Sequence, residues 1–324
     1  MGTPGGLPLG RVIEIRGKFG SSKSTLCAMI LAQAQADGML GVLCDTEFSY
    51  TGDWLRKYGC NIETLVRLTP DHAQMFFDEV GICIKSVKES KLPVPIVIIC
   101  DTISNLPPYE ELQREDSTEG IQAAALAKAI STGLRKLSNM IFMQDVALIF
   151  VSQLKVNPRA SFGDKESVIG GGAIELLSSI RIKMARTANL KVGEGPVFGQ
   201  KNQIQVTKNK LAMPWRTMTF DLDFVHGVNN YAIAMEFMLQ LGEIKRIKNH
   251  YELDGKELGG KKEVISYLES QGPPLLAGLY DQLGLSGKEA SPLAFIEQGP
   301  AMFTSDEQEI AEAEVVPNVE LLED

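Results

Sequence analysis

The sequence predicts an α/β protein in which a parallel, doubly wound sheet is followed by a small second α/β module. Three observations support this fold class. Apolar runs that are typical of buried strands, at residues 38–44, 95–101 and 146–153, alternate with stretches of helical spacing. A loop of small residues, Gly17-Lys18-Phe19-Gly20-Ser21-Ser22-Lys23-Ser24-Thr25, separates the first strand from the first helix. From residue 229 the pattern changes to helix, hairpin, helix.

Hydrophobic periodicity places the individual elements in chain order. In the first part of the chain we predict strand Arg11–Arg16, helix Leu26–Ala34, strand Gly38–Cys44, helix Trp54–Tyr58, strand Leu65–Leu68, helix Ala73–Ser90 and strand Pro95–Asp101. In the second part we predict helix Ile121–Phe142, strand Val146–Gln153, loop Lys155–Gly172, strands Ser178–Ala185, Gln203–Lys208 and Arg216–Phe224, helix Tyr231–Leu241, hairpin Tyr251–Leu258 and helix Lys261–Ser270. Strands that are apolar throughout are buried on both faces, so we expect helices on both sides of the sheet.

Composition and charge divide the 324 residues into three parts. We predict a core domain over 1–228, a small C-terminal α/β domain over 229–288 and an acidic tail over 289–324. No lysine or arginine follows Lys288, whereas eight acidic residues lie from Asp306 onward, so we expect the tail to be disordered. The tail contributes part of the net charge of −9. The rest of the chain is therefore closer to neutral and can carry a local basic groove.

Targeting and redox signals indicate a cytoplasmic protein. The N-terminus has no basic region followed by an apolar stretch, and no apolar run is long enough to cross a membrane. The five cysteines are scattered, without a C-x-x-C pair. We therefore expect reduced thiols, with neither a disulfide framework nor a cysteine metal site.

The small-residue loop has the context of a phosphate-binding loop: strand, loop, Lys-Ser, helix. Its backbone N–H groups and the helix N-terminus would hold phosphate oxygens, Lys23 would reach the β- and γ-phosphates of ATP, and the Ser24 hydroxyl would ligate Mg²⁺. The expected nucleotide-binding residues here are Gly17, Gly20, Ser21, Ser22, Lys23, Ser24 and Thr25. Because Ser22 stands where the usual pattern has a second glycine, we expect the loop to be slightly strained or subtly reshaped there. The alternative is a turn that binds no nucleotide.

Three polar residues follow buried strands at the same predicted sheet edge. Asp101 would help to hold Mg²⁺ as a second metal-site residue, although it could instead cap a turn. Glu47 could orient the attacking water, or it could be an ordinary surface glutamate. Gln153 could sense the γ-phosphate and transmit its presence to the following loop, or it could simply be solvated.

Taken together, these segments resemble the RecA family, either the bacterial recombinase or a phage-encoded relative. The segments that carry the resemblance occur in the family's order: Gly-Leu-Pro-Leu-Gly-Arg before the first strand, Asp45-Thr46-Glu47, Ile98-Ile99-Cys100-Asp101-Thr102, Val151-Ser152-Gln153-Leu154-Lys155, Gly170-Gly171-Gly172-Ala173 and Lys208-Asn209-Lys210-Leu211-Ala212-Met213-Pro214-Trp215. The resemblance extends from about Gly5 to about Leu268 and implies a RecA-like P-loop ATPase core.

The resemblance also implies roles for single residues. Glu47 matches the catalytic glutamate and acts there with Lys23, while Gln153 matches the residue that couples the nucleotide to DNA binding. Trp54 falls where the family places an aromatic side chain against adenine; otherwise it is a core tryptophan. Lys208 and Lys210 match lysines that reach the ATP of a neighbouring subunit; otherwise they are a solvated basic strand end.

Two loops, 107–120 and 155–172, match the mobile DNA-binding loops of the family. The residues expected to contact DNA from these loops or near them are Arg114, Lys128, Arg135, Lys155, Arg159, Gly170 and Gly171. The cations would pair with phosphates and the glycines would allow close backbone approach. Plain surface charge is the alternative for Lys128, Arg135, Lys155 and Arg159.

The implied function is that of a DNA-dependent ATPase and recombinase, with ATP and Mg²⁺ as ligands. Such a protein polymerises on single-stranded DNA as a helical filament, with ATP at subunit interfaces, and exchanges strands with a homologous duplex. No segment of the sequence matches the N-terminal helix and strand that join subunits in this family. We therefore expect the protein to be mostly monomeric or weakly associated without ligand. The alternatives are a ring helicase or motor of the same fold, and a regulatory paralogue that does not hydrolyse ATP.

Overall fold

The computed structural model describes residues 6–90, 93–113, 119–156, 166–168, 172–282 and 313–317. The chain forms two compact units. The first comprises Leu7–Arg186 and Gln203–Met218, and the second comprises Thr187–Asn202 and the described residues from Thr219 onward. The boundaries between the units fall within two long strands, at residues 186/187 and 202/203, so each of these strands is divided between the two units.

A parallel sheet forms the centre of the first unit. Its strands are β1 (Arg11–Gly17), β2 (Leu40–Asp45), β3 (Val66–Leu68), β4 (Ile96–Asp101), β5 (Val146–Val156) and the first half of β7 (Ile180–Val192), in the spatial order β7-β1-β5-β4-β2-β3. All of these neighbours are parallel. In register, Gly17 lies opposite Gln153 and Asp45 lies opposite Asp101. The strand ends that carry the predicted site therefore meet at one edge.

Six helices accompany this sheet in the described part of the first unit. They are α1 (Lys23–Ala36), α2 (Gly52–Lys57), α3 (Ala73–Glu89), α4 (Tyr109–Leu112), α5 (Glu119–Met143) and α6 (Gly172–Leu177), with a 3₁₀ turn at Ile103–Asn105. An aromatic cluster of Phe76, Phe77 and Phe150 lies in the core between α3, α5 and the sheet. A Cβ atom on Gly133 would overlap the ring of Phe77, so this glycine permits the close approach of α5.

The second unit has its own core. It contains the second half of β7, the first half of β8 (Val197–Asn209), most of β9 (Thr217–Asp223), β10 (Gly227–Val228), α7 (Asn230–Leu241), α8 (Lys261–Gln271), α9 (Pro273–Gln282) and a separate sheet of β11 (Ile244–Ile247), β12 (His250–Leu253) and β13 (Lys256–Glu257). Met235, Ile244, Val264 and Leu268 are buried together. The side chain of Asn229 caps α7 by accepting the N–H groups of Tyr231 and Ala232.

The fold class and the parallel strands are confirmed, and three local predictions need correction. The segment 155–172 is not loop throughout, since β6 (Glu166–Val168) pairs antiparallel with the end of β5. Strands β7 and β8 are longer than predicted, and a turn at 193–196 joins them into a hairpin. Helix α9 was not predicted. In the acidic tail, only Ala313–Pro317 is described, as strand β14 paired with Ala188–Val192 of β7.

Among the described residues, no helix is long and apolar enough to cross a membrane. The five cysteines are free, four of them buried, which agrees with the expectation of reduced thiols.

Candidate functional site

The phosphate-binding loop connects the end of β1 to the start of α1. Gly17 leaves no room for a side chain, because a Cβ atom there would overlap the carbonyl oxygen of Met184 and the hydroxyl of Ser21. Gly20 has φ +70° and Ser22 has φ 60° and ψ 29°, so both lie in the left-handed region. The expected strain at Ser22 is therefore present, since a residue with a Cβ adopts this conformation only at a cost.

Two side chains of the loop converge on the carbonyl oxygen of Lys18. The Ser21 hydroxyl donates to it at 2.8 Å and the Lys23 ammonium donates to it at 2.9 Å. Lys23 is half-buried, and burial lowers its pKa, while the negative charges of Asp101 and Glu47 act in the opposite direction. The ammonium thus rests across the loop, close to the place where phosphate oxygens would lie.

Asp101, at the end of β4, is the buried acidic centre of the site, with 3% of its surface exposed. Its Oδ2 atom accepts hydrogen bonds from the Ser24 hydroxyl at 2.7 Å and from the Tyr50 hydroxyl at 2.6 Å. Burial raises the pKa of Asp101, and the two hydroxyl donors and Lys23 oppose that rise. Ser24 and Asp101, 77 positions apart, are therefore in direct contact, whereas their role in holding Mg²⁺ stays a prediction.

Asp45, at the end of β2, organises the loop that carries Glu47. Its carboxylate accepts the N–H groups of Glu47 and Ser49, each at 3.2 Å, and of Tyr50 at 2.9 Å. Glu47 is exposed as a whole residue, but partial burial of its carboxyl group raises its pKa, and the negative charge of Asp101 adds to that rise. Sequence reasoning assigned no role to Asp45 or Tyr50; the Asp-x-Glu pattern at a strand end was the available signal for Asp45.

Trp54 lies in α2, whose N-terminus is capped by the Thr51 hydroxyl. Its ring makes edge contacts with Tyr50 at 5.3 Å and with Tyr58 at 4.8 Å between centroids. The tryptophan is thus linked through Tyr50 to the acidic centre. Its contact with adenine stays a prediction.

Gln153 is half-buried on β5, directly opposite Gly17, at the start of the phosphate-binding loop. Three residues later, β5 ends where it pairs with β6. The glutamine therefore lies on the strand that joins the predicted nucleotide edge to the second predicted DNA loop, and its coupling role stays a prediction.

Lys208 lies near the end of β8, and Lys210 follows the last residue of that strand. The ammonium of Lys208 donates to the carbonyl oxygens of Glu175 at 2.6 Å and Leu176 at 3.1 Å, in α6. Burial lowers the pKa of Lys208, and the positive charge of Lys210 adds to this effect. Lys210 is exposed. Within its own chain, Lys208 is therefore bonded to the helix that follows the second predicted DNA loop.

The predicted DNA-contact residues are only partly described. Arg114, Arg159, Gly170 and Gly171 lie outside the described residues, and of Lys155 only the backbone, on β5, is described. Lys128 and Arg135 are exposed on α5, about two helical turns apart and so on one face. The Arg135 guanidinium donates to the Ser131 carbonyl at 3.3 Å.

An ion network that the sequence did not predict lies beneath α6. The buried guanidinium of Arg181, on β7, bonds Glu14 of β1 at 2.5 Å and also bonds Glu175 of α6. Glu14 is 1% exposed, and within the described part of the chain its Oε1 atom and Arg181 Nη2 have no hydrogen-bond partner. Arg181 therefore links α6 to β1, the strand that leads into the phosphate-binding loop. Loss of Arg181 would leave the buried Glu14 carboxylate without its partner, which is costly.

The donors at the site fit magnesium. Mg²⁺ prefers hard oxygen ligands and takes only one or two from the protein when phosphates and water supply the others. The Ser24 hydroxyl and the Asp101 carboxylate are such donors, 2.7 Å apart. Among the described residues there is no cluster of three or more His, Cys, Asp or Glu side chains that would hold a metal ion by itself.

Comparison with known proteins gives one consistent result. The family described as the RecA N-terminal domain matches residues 1–229. "Protein RecA 1" of Myxococcus xanthus is 29% identical over 291 residues, which cover 89% of this chain and 82% of that protein. "Protein RecA" of Bifidobacterium longum is 28% identical over 314 residues, 96% of this chain and 76% of that protein. The "Mitochondrial DNA repair protein recA homolog" of Dictyostelium discoideum is 32% identical over 282 residues, 86% of this chain and 60% of that protein. The chain therefore belongs to the RecA family.

Proposed function

We propose that this protein is an ATP-dependent DNA recombinase. It assembles on single-stranded DNA as a helical filament, with ATP and Mg²⁺ between subunits, and exchanges strands with a homologous duplex in the cytoplasm. The observation that carries the proposal is the contact of Ser24 with Asp101, beside the Lys23 ammonium, in a chain of the RecA family. These are the hydroxyl, carboxylate and ammonium that phosphoryl transfer requires at one place.

Lys23 and the N-terminus of α1 neutralise the triphosphate. The ammonium leaves the Lys18 carbonyl and takes phosphate oxygens, which are stronger acceptors because they are charged. Ser24 and Asp101 would hold Mg²⁺, directly or through its water shell. When bound, the ion neutralises charge that develops on the phosphate oxygens.

Glu47 orients the water that attacks the γ-phosphate. A raised pKa brings a carboxylate closer to the working pH and makes it a stronger base. The turn that Asp45 holds places Glu47 at the same sheet edge as the loop. Gln153 then transmits the state of the nucleotide along β5 towards the DNA.

The test compares Lys23→Ala with Lys85→Ala, an exposed lysine of α3 that lies outside the site. ATP hydrolysis is measured with and without single-stranded DNA, and strand exchange is measured with a labelled homologous duplex. We expect DNA to stimulate hydrolysis in the parent and in Lys85→Ala, and Lys23→Ala to lose both activities. A parent that unwinds duplexes but exchanges no strands is a motor instead, and one that binds ATP without turnover is a regulatory paralogue.

Assembly is tested with the double substitution Lys208→Ala and Lys210→Ala. If these lysines complete the ATP site of a neighbouring subunit, monomers still bind nucleotide while DNA-stimulated hydrolysis and filament length fall. Light scattering and negative-stain microscopy measure assembly with ATP and single-stranded DNA. Normal filaments from the double variant would place the contact elsewhere.

A further inference from the structure

Tyr50 is a buried aromatic residue at the nucleotide edge to which the motifs assign no role. It lies in the loop between β2 and α2, three positions after Glu47, with 2% of its surface exposed. Each polar group of this residue is engaged. Its N–H donates to Asp45 Oδ2 at 2.9 Å, its carbonyl accepts from Arg67 at 3.0 Å, and its hydroxyl donates to Asp101 at 2.6 Å.

The hydroxyl bond joins two segments that lie 51 positions apart. On one side is the loop that carries Glu47; on the other is Asp101, at the end of β4. The Ser24 hydroxyl donates to the same oxygen atom of Asp101, at 2.7 Å. Two donors that converge on one carboxylate oxygen fix the rotation of the carboxylate about its bond to the chain, because rotation would break both bonds.

The ring of Tyr50 provides a third attachment. It packs edge-on against Trp54, the residue predicted to contact adenine, at 5.3 Å between centroids. Tyr50 therefore contacts the base side, through Trp54, and the metal side, through Asp101. Phe48, between Glu47 and Tyr50, has φ 53°, which turns the chain so that Glu47 is exposed while Tyr50 is buried.

We propose that Tyr50 is a positioning residue that holds Asp101 and the Glu47 loop in one fixed arrangement around the nucleotide. The proposal rests on the ATPase proposed above. The simpler alternative is a core tyrosine whose hydroxyl happens to find an acceptor. The two differ in one consequence, because a positioning residue affects turnover and Mg²⁺ dependence more than it affects stability or nucleotide affinity.

The experiment uses Tyr50→Phe, which removes only the hydroxyl, with Tyr58→Phe as the matched control. Tyr58 also packs on Trp54, at 4.8 Å, and its hydroxyl is not the one bonded to Asp101. We expect Tyr50→Phe to lower kcat for ATP about tenfold, in line with the loss of one hydrogen bond to a charged group, with KM changed less than about twofold. Tyr58→Phe should keep the parent kcat.

A second measurement does not depend on turnover. The chain has only two tryptophans, so in a Trp215→Phe background the fluorescence of Trp54 reports the site. ADP is titrated at several Mg²⁺ concentrations, and Tyr50→Phe should need several-fold more Mg²⁺ for half of the full signal. Thermal unfolding is measured in parallel.

The outcomes separate the two proposals. Parent values of both kcat and Mg²⁺ dependence in Tyr50→Phe overturn the positioning role. A parallel loss of thermal stability, ADP affinity and kcat also overturns it, because that pattern belongs to a purely structural tyrosine. A parent that binds Mg²⁺-ADP but does not hydrolyse ATP overturns the proposed function, and the Mg²⁺ titration then still tests Tyr50.

Discussion

Replacing Ser22 by glycine should stabilise this protein, whereas replacing its neighbour Ser21 should destabilise it. Ser22 has φ 60°, which costs an L-residue about 1–2 kcal/mol, and its side chain does not cap α1. Glycine removes that cost but loses about 0.5–1 kcal/mol more backbone entropy on folding. The backbone contribution to Ser22→Gly is therefore a gain of about 0–1.5 kcal/mol.

For Ser21 the same arithmetic has the opposite sign. Its hydroxyl is buried and donates to the Lys18 carbonyl at 2.8 Å, a bond worth about 1 kcal/mol. Adding the entropy cost of glycine gives a loss of about 1.5–2 kcal/mol for Ser21→Gly. The two variants should thus differ by about 1.5–3.5 kcal/mol in urea denaturation, and their melting temperatures should move in opposite directions. A destabilised Ser22→Gly, or two variants of equal stability, would refute the assignment of strain to Ser22.

Two further predictions concern buried groups. Arg181→Ala leaves the buried Glu14 carboxylate without its partner, so unfolding should become about 3–5 kcal/mol easier in urea, and combining Arg181→Met with Glu14→Leu should recover most of that loss. Burial raises the pKa of the Cys60 thiol from 9.0 to about 11. The folded state then holds this proton more tightly than the unfolded state, so stability present below pH 9 is lost by about 2–3 kcal/mol as the pH rises to 11. Cys60→Ala should flatten that part of the pH–stability curve, and an unchanged slope would contradict the assignment.

Much of the fold could be predicted because its signals are local. The strands β2, β4 and β5 are nearly continuous apolar runs, which a parallel sheet with helices on both faces requires. The loop between β1 and α1 combines small residues with a Lys-Ser pair, and both the strand before it and the helix after it were found. The parallel arrangement alone implies that Asp45 and Asp101 lie at the same sheet edge, whereas their pairing directly opposite each other is seen only in the structure.

The elements that were missed lack such local signals. The outer half of β7, Thr187–Val192, alternates Thr, Asn and Lys with Ala, Leu and Val, a pattern over only six residues that was not interpreted as a strand. Helix α9 begins with two prolines, which are usually read as a break. Strand β6 has three residues and exists only because it pairs with β5.

Long-range contacts explain why parts of the site were missed. The pair of Glu14 and Arg181 spans 167 positions, and that of Tyr50 and Asp101 spans 51. A charged residue in an apolar strand, such as Glu14, signals that a partner is needed but does not say which residue supplies it. Likewise, nothing in the sequence around Tyr50 distinguishes a tyrosine bonded to an acidic centre from one that merely fills the core.

Lys208 shows a further limit of sequence analysis: the acceptors of its ammonium group in the single chain are backbone carbonyls, which the sequence does not reveal. The family motif led us to expect that its ammonium reaches the ATP of another subunit, whereas in the single chain it bonds the carbonyls of Glu175 and Leu176. Both placements hold only if the ammonium exchanges one set of acceptors for the other. Charged phosphate oxygens are stronger acceptors than neutral carbonyls, so the exchange is favourable only when a phosphate is present. Every residue type has a carbonyl, so this resting position leaves no trace in the sequence, and only the fold could reveal it.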